Sequence, residues 1–418
     1  MRYYSTNDRY IEVPLRKAIM QSVAPDGGVY MPDSIPLIPR ALFTHIPKMS
    51  LTEIGYVAAT TLFGSDIPAA ELKSIVADTL TFPIPLHEVA PSIYALELFH
   101  GPTGTFKDVG ARFMARLIKY YTSSQFGEER SLNVVVATSG NTGNAVANAF
   151  ANVPGVNVII FHPQRSAMRV DADAFATIAP NIHPIGIRGT FNECQQLVKM
   201  AYNDTELNER LSLTSANSIN IARLLPQTFY FFQAYARLAE MGLSVDGMTI
   251  GTPCGNLGNL TAALFAKQMG LPLKSIIAAG QVNERLWGSI QNGRLAVNDF
   301  NDQALSTNLS RINALIQTSP RLADNIECHT YTAEEIAEQI KDTHVRYGYL
   351  LNTRSALAFK AVASTATDGS PRVFLATVRP DHDSPPAAAH RQIPMAAHPI
   401  LSPVYADIRR YLIDRFSK

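Results

Sequence analysis

Cysteine is scarce and poorly placed for bonding: Cys194, Cys254 and Cys328 are odd in number and far apart along the chain. They form neither a zinc spacing nor a disulfide framework, so no metal is expected and a reducing, cytoplasmic setting fits best. Long apolar runs are missing too. The longest, 134-VVVA-137 and 156-VNVIIF-161, fall far short of the roughly 20 residues that span a bilayer. The opening MRYYSTNDRYIEVPL carries charges with no apolar stretch behind them, which argues against a signal peptide. Net charge is nearly absent: 36 Lys and Arg against 35 Asp and Glu leave +1, no footprint for nucleic acid or an anionic membrane. His382, His390 and His398 recur every eight residues, which suits neither one helix face nor a compact metal site.

What is present is enough for a large core. With 418 residues and 46% apolar composition, the chain can fold without metal or disulfide staples. Several stretches read as a short β-branched strand, a Gly- and Asn-rich loop, then an amphipathic helix. Val134–Ala137 leads into TSGNTG and a helix bearing Ala145, Val146, Ala149 and Phe150. Val156–Phe161 reads as a strand with a helix near Asp171–Thr177. Met248–Gly251 leads into TPCGNLGN, and Ser275–Ala279 and Arg372–Val378 read as further strands. Such alternation means an α/β protein with parallel sheets covered on both faces. Boundaries are expected near residue 85, at PIPLHEVAPS, and around Ser212–Asn217. INIARLLPQTFYFFQAYARLAEMG reads as one long helical pattern, residues 379–403 as a Pro- and Ala-rich loop, and YADIRRYLIDRF as a closing helix.

Four segments carry chemistry. In 96-LELFHGPTGTFKDVGARFMARLIKYY-121, Val109, Phe113 and Leu117 recur every four residues, so a helix starts near Asp108 and Lys107 stands at its mouth. The positive end of a helix disfavours the ammonium form, which suits a nucleophile or base, although a solvated surface lysine is the commoner outcome. The glycine spacing does not make a Walker A loop, which needs GxxxxGK followed by Ser or Thr. In 137-ATSGNTGNAVANAF-150, Thr138, Ser139, Asn141 and Thr142 offer donors where a strand meets a helix, a place that takes a carboxylate or phosphate or is simply an N-capped turn. In 250-IGTPCGNLGNLTAALFAKQMG-270, Gly255, Asn256, Leu257, Gly258 and Asn259 make a second anion cradle, but not GxGxxG, so a dinucleotide is poorly supported. In 215-SANSINIAR-223, Ser215, Asn217, Ser218, Asn220 and Arg223 serve either capping and internal bonding or substrate contact, with Arg223 as the anion partner.

Two anion cradles, a loop lysine and an α/β frame fit a phosphorylated aldehyde cofactor. Pyridoxal 5'-phosphate needs an amine for its aldehyde and N–H donors for its phosphate. With YYSTND, APDGGVYMP, LELFHGPTGTFKD, ATSGNTG, SANSINIARLLPQ and CGNLGNLTAALFAKQMGLP in one order, the chain resembles the threonine synthase family, in its bacterial and fungal branch. That family has the fold-type II, tryptophan synthase β-like architecture. The resemblance implies two open parallel-sheet domains and a threonine-synthase-type N-terminal region. The expected division is 1–85 for that region, 86–110 with 216–418 for the large cofactor-binding domain, and 111–215 for the small α/β domain. The resemblance implies Lys107 as the cofactor-binding lysine, Gly255 to Asn259 around the phosphate, Asn141 facing the ring hydroxyl and Thr377 meeting the ring nitrogen. Ser139 and Thr142, with Thr138, would hold the substrate carboxylate. The implied reaction converts O-phosphohomoserine and water to threonine and phosphate.

The same comparison of motifs exposes departures. The family's Thr-Ala-His-Pro-Ala-Lys-Phe reads TVRPDHD here, with Arg379 for the His and Asp383 near the Lys. Its Pro-His-Thr-Ala reads NTRSALAFKA, with Arg354 near the His. A Ser-Pro-Leu-Gln helix start is absent around QRSAMRVDAD, and TNLSRINALI stands where Ser-Asn-Ala-Met-Asp is usual. Arg354 and Arg379 are therefore the candidate cations for a substrate phosphate. The expected partner is a small amino-acid substrate carrying a phosphate, and the protein is expected as a monomer or homodimer. The alternative is a diverged lyase or replacement enzyme for another activated amino acid, such as O-phosphothreonine or O-phosphoserine.

Overall fold

The computed structural model describes residues 1–123, 131–164, 178–281, 303–365, 369–380 and 398–417. Contacts divide the chain into two units. One comprises Met1, Pro32–Phe106 and Leu224–Pro385; the other comprises Arg2–Met31, Lys107–Arg223 and Pro386–Lys418. This division groups Arg2–Met31 with 107–223, where the sequence reading set 1–85 apart. Phe106 and Lys107, neighbours in the TFKD segment, belong to different units.

The unit that begins with Arg2 is built on a five-stranded parallel sheet. Its order is Ile400–Leu401, Ile182–Ile187, Val156–Pro163, Leu132–Ala137, Leu213–Ser215. Every residue of Leu132–Ala137 is buried, which is why Val134–Ala137 reads as an unbroken apolar run rather than an alternating one. Helices Lys107–Tyr121 and Asn141–Phe150 pack on each other. The described end of 379–403, read as a loop throughout, includes the short strand Ile400–Leu401: Gly186 and Arg188 donate to the carbonyls of Pro399 and Leu401, both at 2.9 Å, and so cover the sheet's edge. The helix expected near Asp171–Thr177 and the QRSAMRVDAD departure lie largely or wholly outside the described residues, as do His382, His390, Asp381 and Asp383.

The other unit carries a six-stranded sheet in the order Ile326–Tyr331, Leu273–Gln281, Met248–Pro253, Arg372–Ala376, Ile93–Glu97, Leu86–Ala90. All neighbours are parallel except the last pair. Ligands in such sheets gather beyond the carboxyl ends of the strands. Those ends here carry Glu97, the 254–258 loop and Thr377. Helices Gly258–Gln268 and Thr353–Ala363 cover the sheet, and Gln303–Thr318 packs on the first of them.

The pattern INIARLLPQTFYFFQAYARLAEMG is not one helix. It forms Ile221–Leu224, a 3-10 turn Leu225–Thr228 and Phe229–Glu240. Pro226 is the cause: it has no N–H to donate and disfavours the helical region for Leu225. The change of unit at Arg223 and Leu224 falls just before this interruption.

Candidate active site

Lys107 is the first residue of helix Lys107–Tyr121. It is half-buried, and its ammonium nitrogen donates to Thr142 Oγ1 at 2.7 Å. Thr142 lies in the first turn of helix Asn141–Phe150, inside the TSGNTG loop, so the lysine amine and the row of hydroxyl and amide groups form one cluster. Thr138 has a separate task there. Its hydroxyl accepts from the N–H groups of Gly140 at 3.0 Å and Gly143 at 2.8 Å, which fixes the turn at the end of the strand. Ser139, Asn141 and Thr142 are partly exposed, whereas Thr138 is buried.

The opening turn of the Lys107 helix is held from behind. Arg223 is fully enclosed, and burial lowers its guanidinium to about 10 against the opposing pull of the Asp108 carboxylate. Its Nη1 donates to the Ala216 carbonyl at 3.1 Å. A Cβ on Gly110 would stand 2.4 Å from the Arg223 carbonyl oxygen, closer than atoms can approach. Gly110→Ala is therefore expected to destabilise the fold by about 2–3 kcal/mol, read as a lowered thermal midpoint.

The 215–223 segment separates into internal bonds and half-buried groups. Asn220 is 0% exposed. Its amide donates to the Ile19 carbonyl and Ser22 Oγ, both at 2.8 Å, and its Oδ1 caps Ala222 N. Ser215 Oγ accepts from Asn217 N, and Ser215 N donates to Ser22 Oγ. Of the two readings of this density, capping and internal bonding describes Ser215, tied to Ser22, and Asn220, tied to Ile19 and Ser22.

In the other unit, the turn before Lys107 is zipped to the strand end at 377–379. Phe106 N donates to the Thr377 carbonyl at 2.8 Å, and Arg379 N donates to the Gly104 carbonyl at 3.0 Å. Gly104 has φ +67, and a Cβ there would lie 3.6 Å from Arg379 Cβ and Nε, so the exposed Arg379 side chain runs against this turn. Thr377 is 1% exposed and its Oγ1 has no hydrogen-bond partner among the described residues. A buried hydroxyl without a partner is costly, and such groups in a native fold call for a function. Asn352 donates to the Val378 carbonyl and caps helix Thr353–Ala363 through Ser355 N. Arg354 is exposed in the first turn of that helix.

The loop 254–258 follows strand Met248–Pro253. Leu257 takes the left-handed conformation, φ +59 and ψ +9, without being glycine, and is buried. Strain of this kind persists only where the surroundings enforce it. Among the described residues, the N–H groups of Gly255 and Leu257 donate to no protein acceptor, while Gly258 N donates to Asn256 Oδ1 at 3.3 Å. Tyr230 donates to Asn259 Oδ1 at 2.7 Å, and burial holds its phenol well above the usual range and so neutral. Cys254, next to the loop, has its thiol pushed up to about 12 by burial, so it is no nucleophile.

Sequence reasoning missed several supports of these groups. Besides Asn352 and Tyr230, Ser355 Oγ is buried without a partner. Glu97 accepts from the Tyr349 hydroxyl at 2.9 Å and bonds His100 at 2.7 Å. An N-cap signal at Asn352 was available; the Glu97–Tyr349 pair, 252 residues apart, left none. Among the described residues no three His, Cys, Asp or Glu side chains gather as metal ligands, and no helix is long and apolar enough to cross a membrane.

Known proteins resemble this chain over nearly its whole length. The family described as pyridoxal-phosphate dependent enzyme matches residues 77–377, and the family described as threonine synthase N terminus matches residues 2–80. The chain is thus a pyridoxal-phosphate enzyme of fold type II. Threonine synthase from Serratia marcescens is 32% identical to it over 99% of both chains. Threonine synthase from Escherichia coli K12 is 32% identical over 91% of this chain and 89% of its own. The crystal structure of Escherichia coli threonine synthase superposes with a TM-score of 0.86 at 29% identity, covering 99% of this chain and 100% of that one. The pyridoxal-phosphate-bound threonine synthase of Brucella melitensis gives 0.84 at 27% identity, with 100% of both chains covered. The chain belongs to the threonine synthase family.

Proposed function

We propose that this protein converts O-phosphohomoserine and water to threonine and inorganic phosphate, with pyridoxal phosphate on Lys107. The observation that carries the reading is the 2.7 Å bond between the Lys107 amine and Thr142, which sets the proton-moving group among hydroxyls suited to a carboxylate. The residues present fit the cofactor. Thr377 Oγ1 is a buried hydroxyl with no partner among the described residues, which suits a ring nitrogen. Gly255 and Leu257 offer N–H groups for a phosphate, and Asn141 an amide for a ring hydroxyl. When bound, pyridoxal phosphate supplies an aldehyde for the lysine and a ring that withdraws electrons from the substrate's α carbon.

The Lys107 amine would take the α proton and then move a proton at the β carbon. Ser139 and Thr142 hold the substrate carboxylate at the start of helix Asn141–Phe150, whose free N–H groups favour an anion. Thr138 positions that loop through its two N–H contacts. Arg379 and Arg354 take the phosphate that departs from the γ carbon; water adds at the β carbon. A neutral hydroxyl such as Thr377, rather than a carboxylate, leaves a ring nitrogen largely unprotonated and the electron withdrawal mild, which suits elimination and replacement.

Thr377→Val tests the fit. Because the hydroxyl has no partner among the described residues, the cofactor-free variant should melt at or above the wild-type temperature. Turnover of the loaded variant should fall about tenfold or more. Lowered stability with unchanged turnover would assign Thr377 to the core instead.

One observation favours a second reading. Arg354 and Arg379 are both exposed and stand where the family motifs have histidine, so a different activated amino acid is an alternative substrate. Assaying phosphate, threonine and 2-oxo acid together on O-phosphohomoserine, O-phosphothreonine and O-phosphoserine separates the two. The proposed function expects threonine from the first alone.

A further inference from the structure

The TNLSRINALI stretch, which departs from the family motif, lies on helix Gln303–Thr318 and contains two buried polar side chains. Asn308 and Arg311 are both 0% exposed. Arg311 Nη1 donates to Asn308 Oδ1 at 3.4 Å, and Asn308 Nδ2 donates to the Asn256 carbonyl at 2.7 Å. An asparagine amide is nearly the same shape either way round. A guanidinium has only donors, so the amide oxygen faces it and accepts, and the nitrogen is turned to donate to the Asn256 carbonyl. The peptide joining Asn256 to Leu257 is planar and trans, so its carbonyl and its N–H point in opposite directions. Tying the carbonyl to the helix therefore aims the Leu257 N–H away from it. Leu257 is also the residue in the left-handed conformation, so an anchor is needed at this peptide to hold the strain.

We infer that Asn308 and Arg311 are positioning residues for the 255–259 loop: Arg311 orients the Asn308 amide, and Asn308 fixes the peptide that presents the Leu257 N–H to the cofactor's phosphate. The inference rests on the reading of this loop as the phosphate site. It predicts a defect specific to the phosphate group and not to the aldehyde or ring.

The test compares pyridoxal phosphate with pyridoxal, which lacks the phosphate, by equilibrium dialysis against the full-length chain freed of cofactor. Wild type should bind pyridoxal phosphate far more tightly. Asn308→Asp keeps the size and the oxygen facing Arg311 but loses the donor to Asn256. Its preference for pyridoxal phosphate over pyridoxal should shrink by about tenfold or more, with pyridoxal affinity unchanged. Arg311→Met should do the same to a smaller extent, and Arg311→Lys should restore part of the preference. Should Arg311→Met not fold, Asn308→Asp and Asn308→Ser still decide the matter. Equal weakening of both ligands, or an unchanged preference in the Asn308 variants, would overturn the inference. A wild type without any preference would instead overturn the phosphate reading of the loop.

Discussion

Lys107→Ala is expected to lower the rate of threonine formation by about 1,000-fold or more, because one amine both anchors the cofactor and moves the substrate's protons. The fold should survive the change. Lys107 is half-buried, and its bond to Thr142 joins two groups that both reach solvent. The cofactor-free variant should therefore melt within a few degrees of wild type. Borohydride reduction of the loaded wild type should fix pyridoxyl phosphate on the peptide carrying Lys107, and the variant should give no labelled lysine. Added primary amines should restore part of the turnover, since what is missing is an amine in an intact site. Label on another lysine in the wild type would remove Lys107 from the mechanism.

Arg379→Ala should reduce kcat/KM for O-phosphohomoserine by about 100-fold. A dianionic phosphate that loses a charge-assisted partner forfeits roughly 2–3 kcal/mol. The effect should lie mainly in KM if Arg379 grips the phosphate equally before and during its departure, and in kcat if it meets only the developing charge. The backbone of Arg379 donates to the Gly104 carbonyl whatever its side chain, so the turn ahead of Lys107 should keep its shape. Arg379→Lys should recover part of the loss, having the charge but not the planar fork. Adding Arg354→Ala should deepen the defect more than additively if the two cations share one phosphate. An Arg379→Ala enzyme with wild-type kinetics would move the phosphate to other residues and favour a different substrate.

Much of this site could be read from short stretches of chain because its parts are local. A strand, a loop of Gly, Ser, Thr and Asn, and a helix are contiguous in ATSGNTGNAVANAF, and the helix after TFKD is set by Val109, Phe113 and Leu117. The chemistry of a helix mouth follows from backbone geometry alone, so Lys107 and the hydroxyl row were visible at once. Polar density in SANSINIAR was a poorer guide. Buried capping networks and substrate sites use the same residue types, and only the position of Ile19 and Ser22, about 200 residues upstream, shows that Asn220 faces inward. The supports of the 254–259 loop were invisible for the same reason. Asn308 reaches Asn256 across 52 residues, and Tyr230 reaches Asn259 across 29. A long apolar pattern also concealed a break, because Pro226 interrupts a helix that hydrophobic spacing alone would continue.

The near-zero net charge gains meaning from the same placement. It leaves no footprint for a polyanionic partner, while single charges sit at chosen places: Arg223 near Asp108, Arg311 beside Asn308, and Arg379 along the Gly104 turn. Two of these are buried cations whose worth lies in the backbone they hold.

The most direct measurement incubates the purified, pyridoxal-phosphate-loaded protein with O-phosphohomoserine and quantifies threonine and inorganic phosphate in one sample. Equal amounts of the two, rising together and absent with Lys107→Ala, are the predicted result. Phosphate accompanied by a 2-oxo acid in place of threonine, or no phosphate from O-phosphohomoserine at all, would contradict it.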